Sequence, residues 1–257
     1  MENRLINESE IDLFLRQVLN IGEAMYTAGS EISRIENTLY RLGKAYGAEH
    51  VNVYAITSSI VVTIEFPGMA ALTQSRRIRR ESTDLSKLEK LNALCRQCSR
   101  DPLPVVKLRE RVLEILSEKP SDLLVLAGYF LAAGFFVLFF GGSFFDAVVG
   151  ALCACLIWLM QRFLKPLCSG QVFINLIISF ISGVLVCALS SVVPVLNQDK
   201  IIIGDIMVLI PGIAITNSIR YTISGDSISG VEKLIGSVLQ ALGIAAGFTL
   251  AIYLFRG

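Results

Sequence analysis

The residues best suited to chemistry lie close together between Gly204 and Gly230, in a segment that is otherwise apolar. Asp205 supplies a carboxyl group near the start of this segment, and the pair Pro211-Gly212 interrupts its helical pattern. A polar cluster follows the interruption and comprises Thr216, Asn217, Ser218 and Arg220. An acid and a helix break at membrane depth are typical of a polar path through a membrane. The segment therefore predicts such a path.

Asp205 is the ionisable group of this segment that lies deepest in the apolar stretch. It precedes Pro211 by about six residues, or about 9 Å along a helix. A bare carboxylate in hydrocarbon is costly, so we expect Asp205 to be protonated, paired or open to a wet cavity. We assign it a role in ion coupling. The alternative is an acid at the membrane interface, beside Lys200 and Gly204 at a helix end.

The break and the polar cluster after it are the predicted substrate site. Pro211 lacks the N–H that continues a helix and Gly212 tolerates an open backbone, so carbonyl groups before the break could face a ligand. Thr216 and Asn217 supply donors and acceptors, and Arg220 can hold a carboxylate through two hydrogen bonds. We predict that these five residues bind substrate. The alternatives are a simple kink at Pro211 and a topology anchor at Arg220.

The remaining candidates outside this segment are weaker. Cys95 and Cys98 form a C-R-Q-C pair, but a zinc site needs two further ligands and no second pair exists. His50 is the only histidine, and nothing indicates a nucleophile beside it. We therefore predict no metal, no cofactor and no enzymatic activity. The basic run from Arg76 to Arg80 is typical of a solvated face, or of one that contacts anionic lipid.

Composition identifies the class of protein that carries these residues. Hydrophobic residues make up 53% of the chain and its mean hydropathy is +0.62, so we expect an integral membrane protein. A net charge of +1 excludes the basic excess of a nucleic-acid binder. The first nine residues lack the apolar core of a signal peptide. Scattered cysteines indicate a reduced compartment and no disulfide framework.

Residues 1–120 predict a small cytoplasmic α+β domain. Two amphipathic helices end at Gly29 and Gly47, and Ser33 with Glu36 is a possible capping box for the second. A hairpin rich in Val, Ile and Thr follows, and Pro67-Gly68 is a turn. The predicted ranges are helices 9–28, 30–46, 83–100 and 104–118, and strands 51–56, 60–66 and 70–74.

Residues 121–257 predict five transmembrane helices, because apolar runs there are long enough to cross about 30 Å of hydrocarbon. The predicted spans are 123–145, 147–164, 172–193, a broken 201–219, and 234–255. Small residues such as Ser179 and Gly183, or Gly243 and Gly247, would let helices approach closely. Lysine and arginine are more frequent in the loops that would lie on the same side of the membrane as the N-terminus. This bias predicts a cytoplasmic N-terminus and an outer C-terminus.

The order of several short motifs resembles the threonine/serine exporter family, in its split form whose first subunit has a cytoplasmic domain and five spans. The resemblance covers nearly the whole chain. It is carried by the following groups: Gly22-Glu23, Ala28-Gly29, Glu31, Arg34, Glu36, Asp84-Leu85, Leu91-Asn92, Ile210-Pro211-Gly212, Asn217, Arg220, Gly225-Asp226 and Ser229-Gly230. Tyr221 departs from the pattern, because many members have an acid after the arginine.

The resemblance implies secondary active export of small hydrophilic solutes, such as threonine, serine or a short dicarboxylate like succinate. It also implies a second membrane subunit with five spans of its own. Five spans contain no inverted pair, so symmetry would have to come from that subunit or from a homo-oligomer. The alternatives are a membrane-tethered ligand sensor or hydrolase-like enzyme, and a purely structural subunit.

Overall fold

A computed structural model describes residues 8–78, 83–118, 120–165 and 170–256. Contacts divide the chain into two units, Met1–Lys119 and Pro120–Gly257, which are described separately. The N-terminal unit combines helices with a small sheet. Its elements are α1 (Glu8–Thr27), α2 (Ile32–Ala45), β1 (His50–Ile56), β2 (Ser59–Glu65), β3 (Leu72–Arg77), α3 (Leu85–Arg100) and α4 (Val105–Ser117).

The sheet of the N-terminal unit is antiparallel, in the order β1-β2-β3. Alternate residues of the central strand point to one face, so Ile60, Val62 and Ile64 are all buried. This apolar face and the helices supply the core of the unit, and α1 contacts both β2 and β3. The third strand is longer than predicted because it extends to Arg77 and takes Arg76 into the sheet.

The predicted helix stops of this unit are confirmed, and the predicted capping box is wrong. Gly29 and Gly47 follow α1 and α2 with positive φ angles of 100° and 89°, a conformation that glycine adopts without strain. Glu31 is the N-cap of α2 and makes no capping hydrogen bond through its side chain. Glu36 lies inside the helix, where its Oε1 accepts a 2.9 Å hydrogen bond from the N–H of Ala55 on β1. Its carboxylate therefore joins α2 to the sheet.

The second unit is entirely helical over its described residues. Its elements are α5 (Asp122–Phe139), α6 (Phe144–Leu164), α7 (Gln171–Val192), α8 (Gln198–Leu209), α9 (Gly212–Ile223) and α10 (Ser227–Arg256). Four of these helices, α5, α6, α7 and α10, are long and apolar enough to cross a membrane. The pair α8 and α9 passes the same test together but is bent by 50°. The described residues thus contain four candidate spans, or five if the bent pair is one span.

The predicted bounds of the first and last spans need correction. The first does not run from 123 to 145, because Gly141 turns the chain with a φ of 83° and α6 begins at Phe144. Ser143 and Asp146 cap that start: the Asp146 N–H donates to Ser143 Oγ at 3.2 Å, and the Ser143 N–H to Asp146 Oδ2 at 2.8 Å. The last helix begins at Ser227 rather than at 234, and its 30 residues are longer than hydrocarbon thickness requires.

Glycine allows close contact between helices of the second unit, as predicted for the α7 and α10 pair. A Cβ atom at Gly247 would lie 2.5 Å from the carbonyl oxygen of Leu176 and 2.7 Å from the Cβ of Ser179. A Cβ at Gly183 would lie 2.7 Å from that of Ala251. Gly204 plays the same part between α8 and α5, because a Cβ there would lie 2.4 Å from Val137 Cγ2. Glycine thus allows close packing of α7 against α10 and of α8 against α5.

Candidate functional site

The break between α8 and α9 is a tight turn centred on Pro211. Pro211 has φ −78° and ψ 58°, and the N–H of Gly212 donates to the carbonyl oxygen of Ile210 at 2.8 Å, which is the geometry of an inverse γ-turn. Proline has no N–H, so the carbonyl of Met207 loses its helical donor. Helical bonding resumes where the N–H of Ile215 donates to the Pro211 carbonyl at 3.0 Å. The predicted break therefore exists, although the Ile210 carbonyl is engaged in the turn.

Asp205 is fully buried on α8, which packs against α5, α6 and α7. The hydroxyl of Ser182 on α7 donates a 2.8 Å hydrogen bond to its Oδ2. No protein donor reaches its Oδ1 among the described residues. This geometry differs from that of an interfacial acid, whose carboxylate would be exposed at a helix end. The expectation that Asp205 is paired is met in part, because its partner is one neutral hydroxyl and not a cation.

The predicted substrate residues lie on two faces of α9. Gly212, Thr216 and Arg220 recur every four residues and are all exposed; we call them the α9 stripe. The hydroxyl of Thr216 donates to the carbonyl oxygen of Gly212 at 3.0 Å. Asn217 lies on the other face, where its exposed fraction is only 9%. The helix therefore brings Thr216 and Arg220 together on its exposed side, whereas the neighbouring Asn217 is buried.

The buried face of α9 packs chiefly against α10 through a tight hairpin. Gly225 turns the chain with a φ of 89°, and Oδ1 of Asp226 accepts a 3.3 Å hydrogen bond from the N–H of Ser229. A Cβ at Gly230 would lie 2.3 Å from Thr222 Oγ1, so the two helices touch through their backbones. Asp226 is a turn residue, as predicted.

Tyr221, the departure from the family pattern, belongs to this buried face. Its exposed fraction is 3%. The ammonium group of Lys233 on α10 lies 5.7 Å from the centre of its ring, within the range of a cation–π interaction. A side chain at this position thus points towards α10, whereas Arg220 belongs to the exposed stripe.

Asp146 and Ser182 are buried polar residues that sequence reasoning missed. Besides capping α6, Asp146 accepts a 2.7 Å hydrogen bond at Oδ1 from the N–H of Asn197, the residue before α8. It thereby positions the helix that carries Asp205. The Ser-x-x-Asp spacing from Ser143 was a detectable capping signal. No signal marks Ser182 beyond its polarity in an apolar span.

In the N-terminal unit, Cys95 and Cys98 are core residues with exposed fractions of 3% and 0%. Burial raises the pKa of the Cys95 thiol to about 12, so it stays protonated and is a poor metal ligand. His50 is exposed at the start of β1. Arg76 lies 3.6 Å from the carboxylate of Glu23, while Arg79 and Arg80 lie outside the described residues. The described residues contain no group of three or more His, Cys, Asp or Glu side chains that could hold a metal.

Comparisons with known proteins match almost the whole chain. A family model described as "Putative threonine/serine exporter" matches residues 16–255. A "Probable threonine/serine exporter" of Mycobacterium tuberculosis is 24% identical over 94% of this chain and 47% of its own length. A "Threonine/serine exporter" of Corynebacterium glutamicum is 22% identical over 97% of this chain and 53% of its own length. The chain thus spans about half the length of these curated relatives. No solved structure matches it.

Proposed function

This chain belongs to the threonine/serine exporter family and is a multi-pass membrane protein, and from these facts we propose that it is a transporter subunit that exports small hydrophilic metabolites. Its substrates are amino acids of the threonine and serine type, or a short dicarboxylate such as succinate. Both relatives are named for threonine and serine. The energy comes from an ion gradient, as secondary active transport requires.

The buried carboxyl of Asp205 is the observation that carries this proposal. An acid with no exposed surface is expensive to keep in a membrane unit, and such acids mark ion or solute paths. Its one hydrogen-bond donor is a neutral hydroxyl, and the titratable group facing it from α6 is the Cys153 thiol. A metal cation would need several oxygen ligands, whereas a proton needs only one. The coupling ion that fits this site is therefore a proton.

The α9 stripe is the proposed substrate contact. A guanidinium exposed to lipid is costly, so the face that carries Arg220 borders a polar path or another protein. Arg220 would hold the substrate carboxylate, a group that amino acids and dicarboxylates share. Thr216 and Gly212 line the same face, one turn and two turns away. Asn217 supports this face from the buried side of α9.

A partner is needed to complete a path along that stripe, because α9 is packed chiefly against α10 on its other face. We propose a second five-span membrane subunit, with a homo-oligomer as the alternative. The relatives are about twice as long as the region that this chain matches, which supports a second membrane part. The basic loops support a bacterial cytoplasmic membrane location with the N-terminus in the cytoplasm.

Transport by the purified protein tests the proposal. Vesicles containing the full chain, with and without the candidate second subunit, would be loaded with labelled threonine or succinate and given an imposed proton gradient. We expect efflux that depends on the chain and on the gradient, and that falls when Asp205 is replaced by Asn. Efflux of neither solute, in the presence of the second subunit, would overturn the proposal. A purely structural subunit would give efflux that tolerates Asp205→Asn and Arg220→Ala.

A further inference from the structure

A pocket of about 240 Å³ opens in the N-terminal unit, where the last turns of α1 meet the start of α3 and the end of α4. Its polar walls come from α1 and from the first residues of α3. The polar lining residues are Asn20, Glu23, Thr27, Asp84 and Lys87. Alanine and leucine side chains supply the rest of the lining. The pocket is thus polar, carries both signs of charge, and is lined by residues of the N-terminal unit.

Lys87 supplies the positive wall of the pocket. Asp84 caps α3, because its Oδ1 accepts a 3.0 Å hydrogen bond from the N–H of Lys87. The ammonium of Lys87 lies 3.9 Å from the other oxygen of Asp84 and 3.5 Å from the carbonyl oxygen of Leu116. Both distances are long for hydrogen bonds of an ammonium group, which has three donors. The Lys87 ammonium can therefore donate hydrogen bonds to an anion that lies closer to it.

Glu23 supplies the negative wall from α1. Its carboxylate lies 3.6 Å from the guanidinium of Arg76, which also donates a 3.1 Å hydrogen bond to the side-chain oxygen of Asn20. The Glu23 side chain is 36% exposed. This distance is longer than that of a close hydrogen bond, so the Glu23 carboxylate can still accept a hydrogen bond from a ligand. The pocket therefore presents a carboxylate on one wall and an ammonium on the other.

The size and charge of the pocket define the class of ligand. Since a water molecule occupies about 30 Å³, the pocket has the volume of about eight water molecules, which limits it to a small ligand. A dicarboxylate would bring one of its negative charges close to the carboxylate of Glu23 or Asp84, which would repel it. A simple amine has no negative group to pair with Lys87. A small α-amino acid satisfies both walls, because its carboxylate can pair with Lys87 and its ammonium with Glu23.

We propose that the N-terminal unit binds a small zwitterionic amino acid in this pocket, at a site distinct from the membrane path. Asn20 and Thr27 also line this pocket with polar side chains. Such a site makes the N-terminal unit a sensor of amino acid concentration. The proposal does not rest on the direction or the energy source of transport.

Calorimetric titration of the full-length Arg220→Ala protein in detergent, which lacks the proposed transport contact, tests the proposal, with threonine, serine, succinate and ethanolamine as probes. We expect threonine or serine to bind saturably, and succinate and ethanolamine at least about tenfold more weakly. Glu23→Gln and Lys87→Gln should each weaken amino acid binding at least about tenfold, since each removes one charge-assisted contact. Circular dichroism would verify that both variants are folded.

Two controls separate this site from the membrane path. Lys107→Gln removes an exposed charge of α4 and should leave binding unchanged. Wild-type protein, which keeps the proposed transport contact, is titrated in parallel. The inference is overturned if no amino acid binds the Arg220→Ala protein, if succinate binds it as tightly as threonine, or if binding survives both Glu23→Gln and Lys87→Gln in that background. If threonine binds the wild type and not the Arg220→Ala protein, the amino acid site belongs to the membrane path and the inference is overturned.

Discussion

The hydroxyl of Ser182 donates a 2.8 Å hydrogen bond to Oδ2 of Asp205, at a point where both side chains have no exposed surface. This contact joins α7 to α8 inside a unit whose core consists chiefly of apolar residues. A buried carboxyl with a single neutral donor is costly to keep in its charged form. We therefore propose that the proton-dependent step of transport occurs at this pair.

Asp205→Asn should abolish proton coupling while keeping the shape of the side chain. We expect gradient-driven efflux to fall at least about tenfold, and the remaining efflux to lose the pH dependence of the wild type. Efflux from loaded vesicles over a pH series measures both effects. The matched control is Asp199→Asn, which removes an exposed acid in the first turn of the same helix and should leave transport unchanged. An unaltered pH profile in Asp205→Asn would remove Asp205 from the mechanism.

Arg220→Lys distinguishes a substrate contact from a topology anchor. Lysine keeps the positive charge at the end of the span but loses the planar pair of donors that grips a carboxylate. In Arg220→Lys, we expect the substrate concentration that gives half-maximal efflux to rise at least about tenfold. The amount of protein in the membrane should be unchanged. If efflux by Arg220→Lys matches the wild type while Arg220→Ala is misinserted, the arginine acts only as an anchor.

Gly247→Ala should destabilise the contact between α7 and α10. The new methyl group would meet the backbone carbonyl oxygen of Leu176 at 2.5 Å, and backbone cannot move aside as a flexible side chain can. We expect a loss of about 1–3 kcal/mol in the free energy of unfolding. Gly236→Ala is the control on the same helix, because no atom lies within 4 Å of the place that its new methyl group would occupy. Equal unfolding midpoints in detergent for both variants would contradict this packing.

Asp146→Ala should cost more stability than loss of a nearby exposed acid. The substitution leaves the N–H groups of Ser143 and Asn197 without their acceptor, at a cost of about 2 kcal/mol or more. Asp122→Ala removes an ion pair with Arg162 in which the two side chains are 63% and 50% exposed, so we expect a loss below about 1 kcal/mol. Denaturant unfolding in detergent compares the two, and a larger loss for Asp122→Ala would refute the role given to Asp146.

Local signals in the sequence correctly predicted several helix ends and the break between α8 and α9. Glycine is the residue for which a positive φ is cheap, so Gly29 and Gly47 marked helix ends that the structure contains. The missing N–H of Pro211 likewise forced a break that any neighbouring packing must accept. The first span was overestimated because Phe144 and Phe145 prolong the apolar run, although Gly141 has already turned the chain.

Contacts between distant segments could not be read from the sequence. Asp205 was recognised as an acid at membrane depth, but its partner Ser182 lies on another helix and looks like any serine in an apolar span. Glu36 fits a capping box by spacing, yet its carboxylate bonds to Ala55 on the sheet. The separation of Asn217 from Thr216 follows from the roughly 100° step of a helix, but which face is buried depends on α10.

The turn at Pro211 also has an electrostatic consequence. It ends α8 and starts α9 within three residues, so the negative end of one helix macrodipole faces the positive end of the next. The bend of 50° keeps the two dipoles from merging into the continuous array of one straight helix. Partial charges of about half a unit of each sign therefore lie close together at this turn. Such paired partial charges favour a polar solute beside the turn, which supports the substrate contact proposed for α9.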